Sequence, residues 1–563
     1  MITVPWSENT GKLHEVSEMR KILGGIEPAP EGIIFGWGMA AQLSKQTTAK
    51  SLGEVQSQIC GALLNVIRIF QNEARQPLLW LLTKGAVALP AVVNPAQTPL
   101  WGMGKALALE LPGWAGSIDL DPAMPEPAVL YDVLCTADQE DQFALRDNKR
   151  YVCRLTTHQF NPSALHIDDG GAYLITGGCG ALGLHTARFL VAHGAKNLVL
   201  VSRSGDRKLD APARVVLKEL EEKGAVVTIL PVDVADEDAV NALFAEIRET
   251  MPPLKGIVHA AGTPGYHPLD KLSLEDFQKV MRPKLLGTWN LHRASLNETL
   301  DFFVCYSSIS SVWGSLGQLH YAAANRFLDG LMSRRKDDGL PGLSINWGPW
   351  PDGMATEEAR TRLATIGVHT LEADDYLETL APALTEDVGQ VVAARLDVAR
   401  FKAVYEARKP KPFLNMLPHA EEGSAQAKDG DQPTRKWSPA EEAASLGEIT
   451  ARILGDVLGF PQLKSPHETR GFFEMGMDSL TAIEFRDRLA AKFGLALPGT
   501  LAFDFPNLKE LTQGLTGLLE PTSAVAVTPA ATLSAEPDKQ VEESFSGALN
   551  TRLLHLESML ADG

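Results

Sequence analysis

Between residues 173 and 347 the chain repeats one pattern: Tyr173–Thr176, Asn197–Val201, Val226–Leu230, Gly256–His259, Phe302–Ser307 and Leu343–Trp347 are short apolar runs, with helical patterns between most of them. Runs of this length read as strands buried on both faces. Strands alternating with helices pair in parallel through crossovers, so the pattern predicts an α/β fold built on a doubly wound parallel sheet. The first half has similar runs (Ile33-Ile34-Phe35, Leu78–Leu82) and a helical stretch near Leu100–Leu111, but no glycine-rich phosphate loop. It reads as a second Rossmann-like unit without cofactor, a structural partner that looks short and N-terminally incomplete.

Two stretches have linker composition, one near 415–440 and a Pro/Ala/Thr/Val-rich one near 520–540. The expected organisation is a structural subdomain over 1–165, a catalytic subdomain over 166–410, a linker over 411–440, a small all-α four-helix unit over 441–518, a second linker over 519–540 and a short helix within 541–563. The formal net charge of −18 argues against nucleic-acid binding. The five cysteines (60, 135, 153, 179, 305) show no CxxC spacing, so reduced thiols and no metal site are expected. Without a membrane-length apolar run or a signal pattern, the expectation is a cytoplasmic chain with no membrane partner.

The octamer Thr176-Gly177-Gly178-Cys179-Gly180-Ala181-Leu182-Gly183 follows the first strand of the second half and opens a helix. Glycines let the backbone turn tightly against a pyrophosphate, and a helix N-terminus offers N–H groups to it. The next strand ends in Ser202-Arg203-Ser204, where an acidic residue would hold the ribose 2′-hydroxyl of NAD. Arg203 suits a 2′-phosphate instead, which favours NADPH. Asp233-Val234 is positioned to flank the adenine, although Asp233 also fits a helix N-cap. Ala260, Ala261 and Gly262 offer small residues beside the nicotinamide.

Ser308 ends the apolar run from Phe302, Tyr321 follows it by 13 positions (321 − 308), and Asn325 lies one helical turn beyond. Lys284 stands upstream. A phenol, a hydroxyl and an ammonium are what hydride reduction of a ketone needs, because the oxygen that gains charge must be held and then protonated. Lys284 would favour the phenolate and draw the Tyr321 pKa toward neutrality, while Asn325 would hold Lys284 or a water. Taken singly, each residue also fits a cap, a packed position or a surface charge.

The octamer, the His259-Ala260-Ala261-Gly262 tetrapeptide, Lys284 within KVMRPKLLG and the stretch SSISSVWGSLGQLHYAAAN together resemble the ketoreductase domain of modular polyketide synthases, a short-chain dehydrogenase/reductase relative. In simple short-chain reductases a lysine follows the tyrosine by four; here Asn325 is there and Lys284 lies upstream, the exchanged arrangement of this family. The resemblance implies Lys284, Ser308, Tyr321 and Asn325 as catalytic residues and NADPH as cofactor. Asn346-Trp347-Gly348-Pro349-Trp350 through Met354 resembles the family's substrate lid. The Leu-Asp-Asp of B-type enzymes is missing after HAAG, Trp313 lies eight before Tyr321, and Gln318 is not the histidine of the A2 subgroup. These two positions imply stereocontrol of the A1 type and an L-β-hydroxy product.

Gly476-Met477-Asp478-Ser479-Leu480 begins a helix with Ile483 and Leu489 on its apolar face. Residues 441–518 resemble an acyl carrier protein, with 4′-phosphopantetheine covalently attached at Ser479; a plain Asp-Ser N-cap is the ordinary alternative. Leu549, Leu553, Leu556 and Leu560 form a short heptad stripe that suits docking to another synthase polypeptide or dimerisation. The expected function is NADPH-dependent reduction of a β-ketoacyl thioester held on the carrier, with a phosphopantetheinyl transferase and other synthase domains as partners. Two alternatives stay open, a carrier and interaction module with an inactive reductase and a short-chain dehydrogenase acting on free small ketones.

Overall fold

A computed structural model describes residues 16–23, 30–71, 76–89, 93–123, 127–136, 139–161, 164–370, 372–406, 410–418 and 439–458, and, beyond them, 470–472, 475, 477, 479–493, 495, 497 and 501–519. The 520–540 linker, the leucine stripe, Gly476 and Asp478 lie outside the described residues.

The first unit is a five-stranded sheet in the order β1 (Gly32–Phe35), β2 (Leu78–Lys84), β3 (Trp114–Leu120), β4 (Gln142–Arg146), β5 (Lys149–Val152). The first four strands are parallel and β5 turns back antiparallel. Asp147 and Asn148 make that hairpin with φ of 50° and 55°, the left-handed pair a two-residue turn requires. Strands β3 to β5 were not foreseen. Asp119 and Ser117 interrupt the apolar run of β3, and only the buried partners of those polar groups make a strand interior of it.

The second unit is a seven-stranded parallel sheet. It comprises β6 (Ala172–Thr176), β7 (Asn197–Ser202), β8 (Val226–Pro231), β9 (Leu254–His259), β10 (Phe302–Ser308), β11 (Leu343–Trp347) and, after the short β12 (Val368–His369), β13 (Gln390–Ala393). Its order is β13-β11-β10-β9-β6-β7-β8, and β12 pairs separately with β14 (Arg395–Leu396). All six anticipated strands are present, and β13 adds an edge. The order reverses between β6 and β9, whose ends pair as Thr176 with His259. A reversal of this kind opens a crevice beyond the carboxyl ends of the strands.

The units share one apolar core. Leu52, Ile59 and Leu63 of the Ala49–Phe70 helix and Leu100, Met103 and Leu107 of the Thr98–Glu110 helix join Leu285, Trp289, Phe327, Leu328 and Leu331 of the second unit. Residues 411–418, expected as the start of a linker, instead close on the first unit. Lys411 Nζ pairs with Asp141 at 2.6 Å, the Leu155 N–H donates to the Phe413 carbonyl at 2.9 Å, and Phe413, Leu414 and Leu417 are buried. Composition hid this because the contacts reach back more than 250 residues.

Farther along, the helices Pro439–Leu458, Ser479–Phe493 and Leu508–Leu519 and the single turn Leu501–Asp504 share a separate core of Leu446, Leu454, Phe472, Phe485, Leu489, Leu511 and Leu515. No helix among the described residues is long and apolar enough to cross a membrane.

Candidate active site and carrier site

The glycine octamer leaves β6 at the switch point and leads into the Ala181–Ala192 helix, which Gly180 caps without any side-chain acceptor. Gly177 takes φ +68°, and a Cβ there would lie 2.9 Å from the Ala261 nitrogen. A Cβ on Gly183 would fall 2.4 Å from the Gly177 carbonyl oxygen. Only glycine lets the loop fold this closely against the helix start, and the uncapped N–H groups beside it suit a pyrophosphate. Thr176 Oγ1 lies 2.7 Å from His259 Nδ1, and the Ala260 N–H donates to the Thr176 carbonyl at 3.1 Å, so the two strand ends are tied across the reversal. Burial drives His259 down to about 3 and keeps it neutral.

Arg203 is exposed beyond β7, while Ser202 Oγ donates to the Gly205 carbonyl and Ser204 precedes a short 3-10 turn. The N-cap of the Glu237–Thr250 helix is Asp236, so Asp233 is released from that ordinary role. Asp233 accepts from the Ala235 N–H at 3.0 Å and from Arg282 Nη1 at 2.6 Å. Burial opposes its ionisation, but the Arg282 hydrogen bond and the Arg282 and Arg203 charges outweigh it and hold the carboxyl low. Val234 is buried, its carbonyl fixed by Asn290 Nδ2 at 3.0 Å.

Across the crevice, Ser308 ends β10, Tyr321 and Asn325 stand one turn apart on the Leu319–Asp337 helix, and Lys284 projects from the Leu274–Ala294 helix. Tyr321 and Ser308 remain partly exposed, whereas Lys284 and Asn325 are buried. Lys284 Nζ donates to the Tyr306 carbonyl at 2.9 Å and sits 5.7 Å from the Tyr321 ring centroid. Gly262 leaves room for it, since a Cβ there would be 3.2 Å from Lys284 Cε. Burial lowers Lys284 to about 8.

Two expectations are corrected here. Burial raises the Tyr321 phenol, against the pull of the neighbouring Asn325 and Ser308 side chains, so the lysine does not bring it toward neutrality. The reason is that the ammonium is itself desolvated and aimed at a backbone carbonyl. Of the two partners expected for Asn325, Lys284 or a water, Lys284 is ruled out: Nδ2 donates to the Tyr321 carbonyl at 2.8 Å, while the buried Oδ1 has no partner among the described residues.

Trp313 lies in an apolar cluster with Ile309, Val312, Val368 and Phe413, its ring 5.1 Å from that of Phe401. It is a packed core residue. Gln318 is half-buried beside the loop after HAAG, with Nε2 3.5 Å from the Gly265 carbonyl. In the lid-like stretch, Trp347 and Trp350 are buried edge to face at 5.3 Å, and Arg360 Nη1 ties the Pro351 and Ala355 carbonyls. Met354 is exposed and leans toward Gly262. Ser479 is the first residue of its helix, whose buried face carries Ala482, Phe485 and Leu489.

Residues missed from sequence are His259 as the tie across the switch point, Arg282 on Asp233, and the Tyr306 carbonyl that receives Lys284. None has a local signal, because each acts through a partner brought in by another strand or helix.

Fold and site define a Rossmann-type reductase of the short-chain kind, with a small helical domain after it. Residues 171–352 match the KR domain family, residues 449–515 the phosphopantetheine attachment site, and residues 9–155 the Rossmann fold domain of polyketide synthase extender module SpnB. Polyketide synthase GfsB of Streptomyces halstedii is 38% identical over 482 residues, covering 80% of this chain and 8% of that protein. Pikromycin polyketide synthase component PikAIII of Streptomyces venezuelae is 36% identical over 507 residues, covering 85% of this chain and 32% of that protein. This chain therefore spans a minor part of the length of both. A solved A1-type ketoreductase superposes with a TM-score of 0.64 at 32% identity, covering 74% of this chain and 87% of that one. The first ketoreductase of the tylosin synthase gives 0.62 at 30%, covering 74% and 88%. The chain belongs to the modular polyketide synthase ketoreductases and carries a phosphopantetheine attachment domain behind the reductase. A domain of each kind implies NADPH and covalent 4′-phosphopantetheine respectively, and the glycine cradle fits the dinucleotide.

Proposed function

We propose that this chain reduces a β-ketoacyl thioester, carried on 4′-phosphopantetheine at Ser479, to the β-hydroxyacyl form. The observation that carries the reading is the meeting of Ser308, Tyr321, Asn325 and Lys284 at the carboxyl edge of the sheet, across from the glycine loop of β6. NADPH, when bound, supplies the hydride. Gly177 to Gly183 and the helix they open receive the pyrophosphate, Arg203 the 2′-phosphate, Asp233 and Val234 the adenine side, and Ala260 to Gly262 the nicotinamide side.

Ser308 and Tyr321 donate hydrogen bonds to the ketone oxygen and hold the charge that develops there. Tyr321 then gives its proton to that oxygen. Burial raises the Tyr321 pKa, so the phenol holds its proton until a stronger base, the alkoxide, takes it. Lys284 places a buried positive charge beside the ring that loses the proton, and the buried, unpartnered Oδ1 of Asn325 is an acceptor for a water that reprotonates it. Trp313 and Gln318 bear on the product hand, which we assign as the L-β-hydroxy form of A1-type enzymes. Trp313 is packed in the apolar cluster with Phe401 and Phe413, so its part is to position the segment before Tyr321.

A phosphopantetheinyl transferase loads Ser479, and the tether presents the acyl chain at an effective concentration of order millimolar. Other polyketide synthase domains or polypeptides supply and receive it, with the 541–563 segment serving docking or dimerisation and the cytoplasm as the setting. The test is NADPH consumption by the loaded full chain carrying a β-ketoacyl group, compared with the same ketone as a free small molecule. Turnover with strong preference for the carrier-bound ketone is expected. NADPH binding without turnover, or equal rates on both ketones, overturns the reading.

A further inference from the structure

Eight residues beyond Tyr321 on the same helix, Asp329 is only 1% exposed. A buried carboxylate is costly unless its oxygens are satisfied, and here they are satisfied from three directions. Ser311 Oγ lies 2.7 Å from Oδ2, Ser344 Oγ donates to Oδ1 at 2.6 Å, and Asn346 Nδ2 lies 3.0 and 3.1 Å from the two oxygens. Gln390 Nε2 donates to Asn346 Oδ1 at 2.9 Å, which fixes the Asn346 amide with its nitrogen toward Asp329. Two chains run from this point to the cleft. Ser311 Oγ, whose single hydrogen is shared between two acceptors, is also 2.9 Å from the Ser308 carbonyl. Asn346 Nδ2 is 3.0 Å from Ser307 Oγ, which donates to the Asn325 carbonyl at 3.2 Å.

Charge points the same way. Lys284 touches the Tyr306 carbonyl and lies beside the Tyr321 ring, and the Cys305 thiol, Asp329 and His259 are within its electrostatic reach. Burial pushes the Cys305 thiol up and His259 down, so both are neutral. Asp329 is then the anion that bears on Lys284 among the described residues, and Arg326 Nη1 lies 3.6 Å from Asp329 Oδ2.

We infer that Asp329 is a positioning residue for the reduction: it locks the Ser308 turn, the Tyr321 helix and the β11 end into one unit and keeps a negative charge within electrostatic reach of Lys284. The inference rests on the reductase reading above. Its test compares Asp329→Asn with wild type in the full chain, after confirming fold and NADPH binding. The expected result is a kcat lowered on the order of 10- to 100-fold with KM within about twofold, since positioning acts on the transition state. Losing the anion lowers the Lys284 pKa, so the basic limb of the pH–rate profile moves down by roughly half to one unit. Wild-type kcat and an unmoved limb overturn the inference. If Asp329→Asn does not fold, Asn346→Ala takes its place. It cuts one chain and keeps the charge, so kcat should fall several-fold with the limb unmoved, and an unchanged kcat overturns the positioning role. If the wild-type chain reduces no ketone, the reductase reading fails by itself. Lysine-selective NMR then still decides, because the Lys284 pKa must drop between wild type and Asp329→Asn, and an unchanged Lys284 pKa overturns the charge half of the inference.

Discussion

Gly102 and Ala322 meet backbone to backbone: a Cβ on Gly102 would lie 2.3 Å from the Ala322 carbonyl oxygen and 2.7 Å from Ala323 Cα. The first residue belongs to the cofactor-free unit, and the second follows Tyr321. The helix that presents the phenol is thus seated directly on the first unit. Gly102→Ala should push the two helices apart. Overpacking of this kind costs about 1–3 kcal/mol, and the displaced Tyr321 should lower kcat as well. Urea denaturation and steady-state kinetics on the same preparation check both halves; wild-type stability and rate would show the helices free to adjust.

Tyr321→Phe removes the proton donor and one hydrogen bond to the ketone while leaving the ring in place. Loss of a general acid contributes on the order of 10²–10⁴ in rate. NADPH fluorescence titration should give an unchanged Kd while ketone-dependent oxidation collapses. Near-normal turnover removes Tyr321 from its role.

The glycine cradle makes a separate prediction. With a Cβ 2.4 Å from the Gly177 carbonyl oxygen, Gly183→Ala must shift the loop or the helix start. NADPH binding should weaken at least tenfold, read by titration without substrate. Stability of the following carrier domain, which has its own core, should not change.

His259 predicts an acid sensitivity. Its folded pKa, pushed down to about 3, lies below the ordinary value of 6.5, so the unfolded chain binds the proton more readily. Stability is therefore fully present above pH 6.5 and falls as pH drops toward 3, by about 1.4 kcal/mol per pH unit from this group. His259→Asn, which can still meet Thr176, should flatten the slope of unfolding free energy against pH between 6.5 and 4. An unaltered slope refutes the assignment.

Ser479→Ala should abolish the mass added by a phosphopantetheinyl transferase and coenzyme A, read by intact-protein mass spectrometry. A modified mutant would move the attachment point elsewhere and end the carrier assignment at this serine.

Local pattern made much of this molecule readable. The six strands of the second sheet are continuous apolar runs because both their faces are covered, and the glycine octamer is legible because a tight turn admits few other residues. The spacing of Ser308, Tyr321 and Asn325 survives because a strand end and a single helix carry all three. In the first unit the signal failed at β3. There Asp119 is buried against Arg146 at 2.5 Å and Thr83 at 2.6 Å, so polar side chains sit where periodicity expects apolar ones.

What the amino-acid order determined alone is therefore the strand and helix alternation, the glycine loop and the spacing of the candidate residues Ser308, Tyr321 and Asn325, all encoded within short stretches. Tertiary structure alone decided where those residues point. Lys284 faces the Tyr306 carbonyl, Trp313 packs on Phe401 in the core, Asp329 gathers Ser311, Ser344 and Asn346, and Lys411 closes on Asp141. The physical reason is that a buried polar or aromatic group takes its direction from partners that satisfy it, and those partners come from distant parts of the chain.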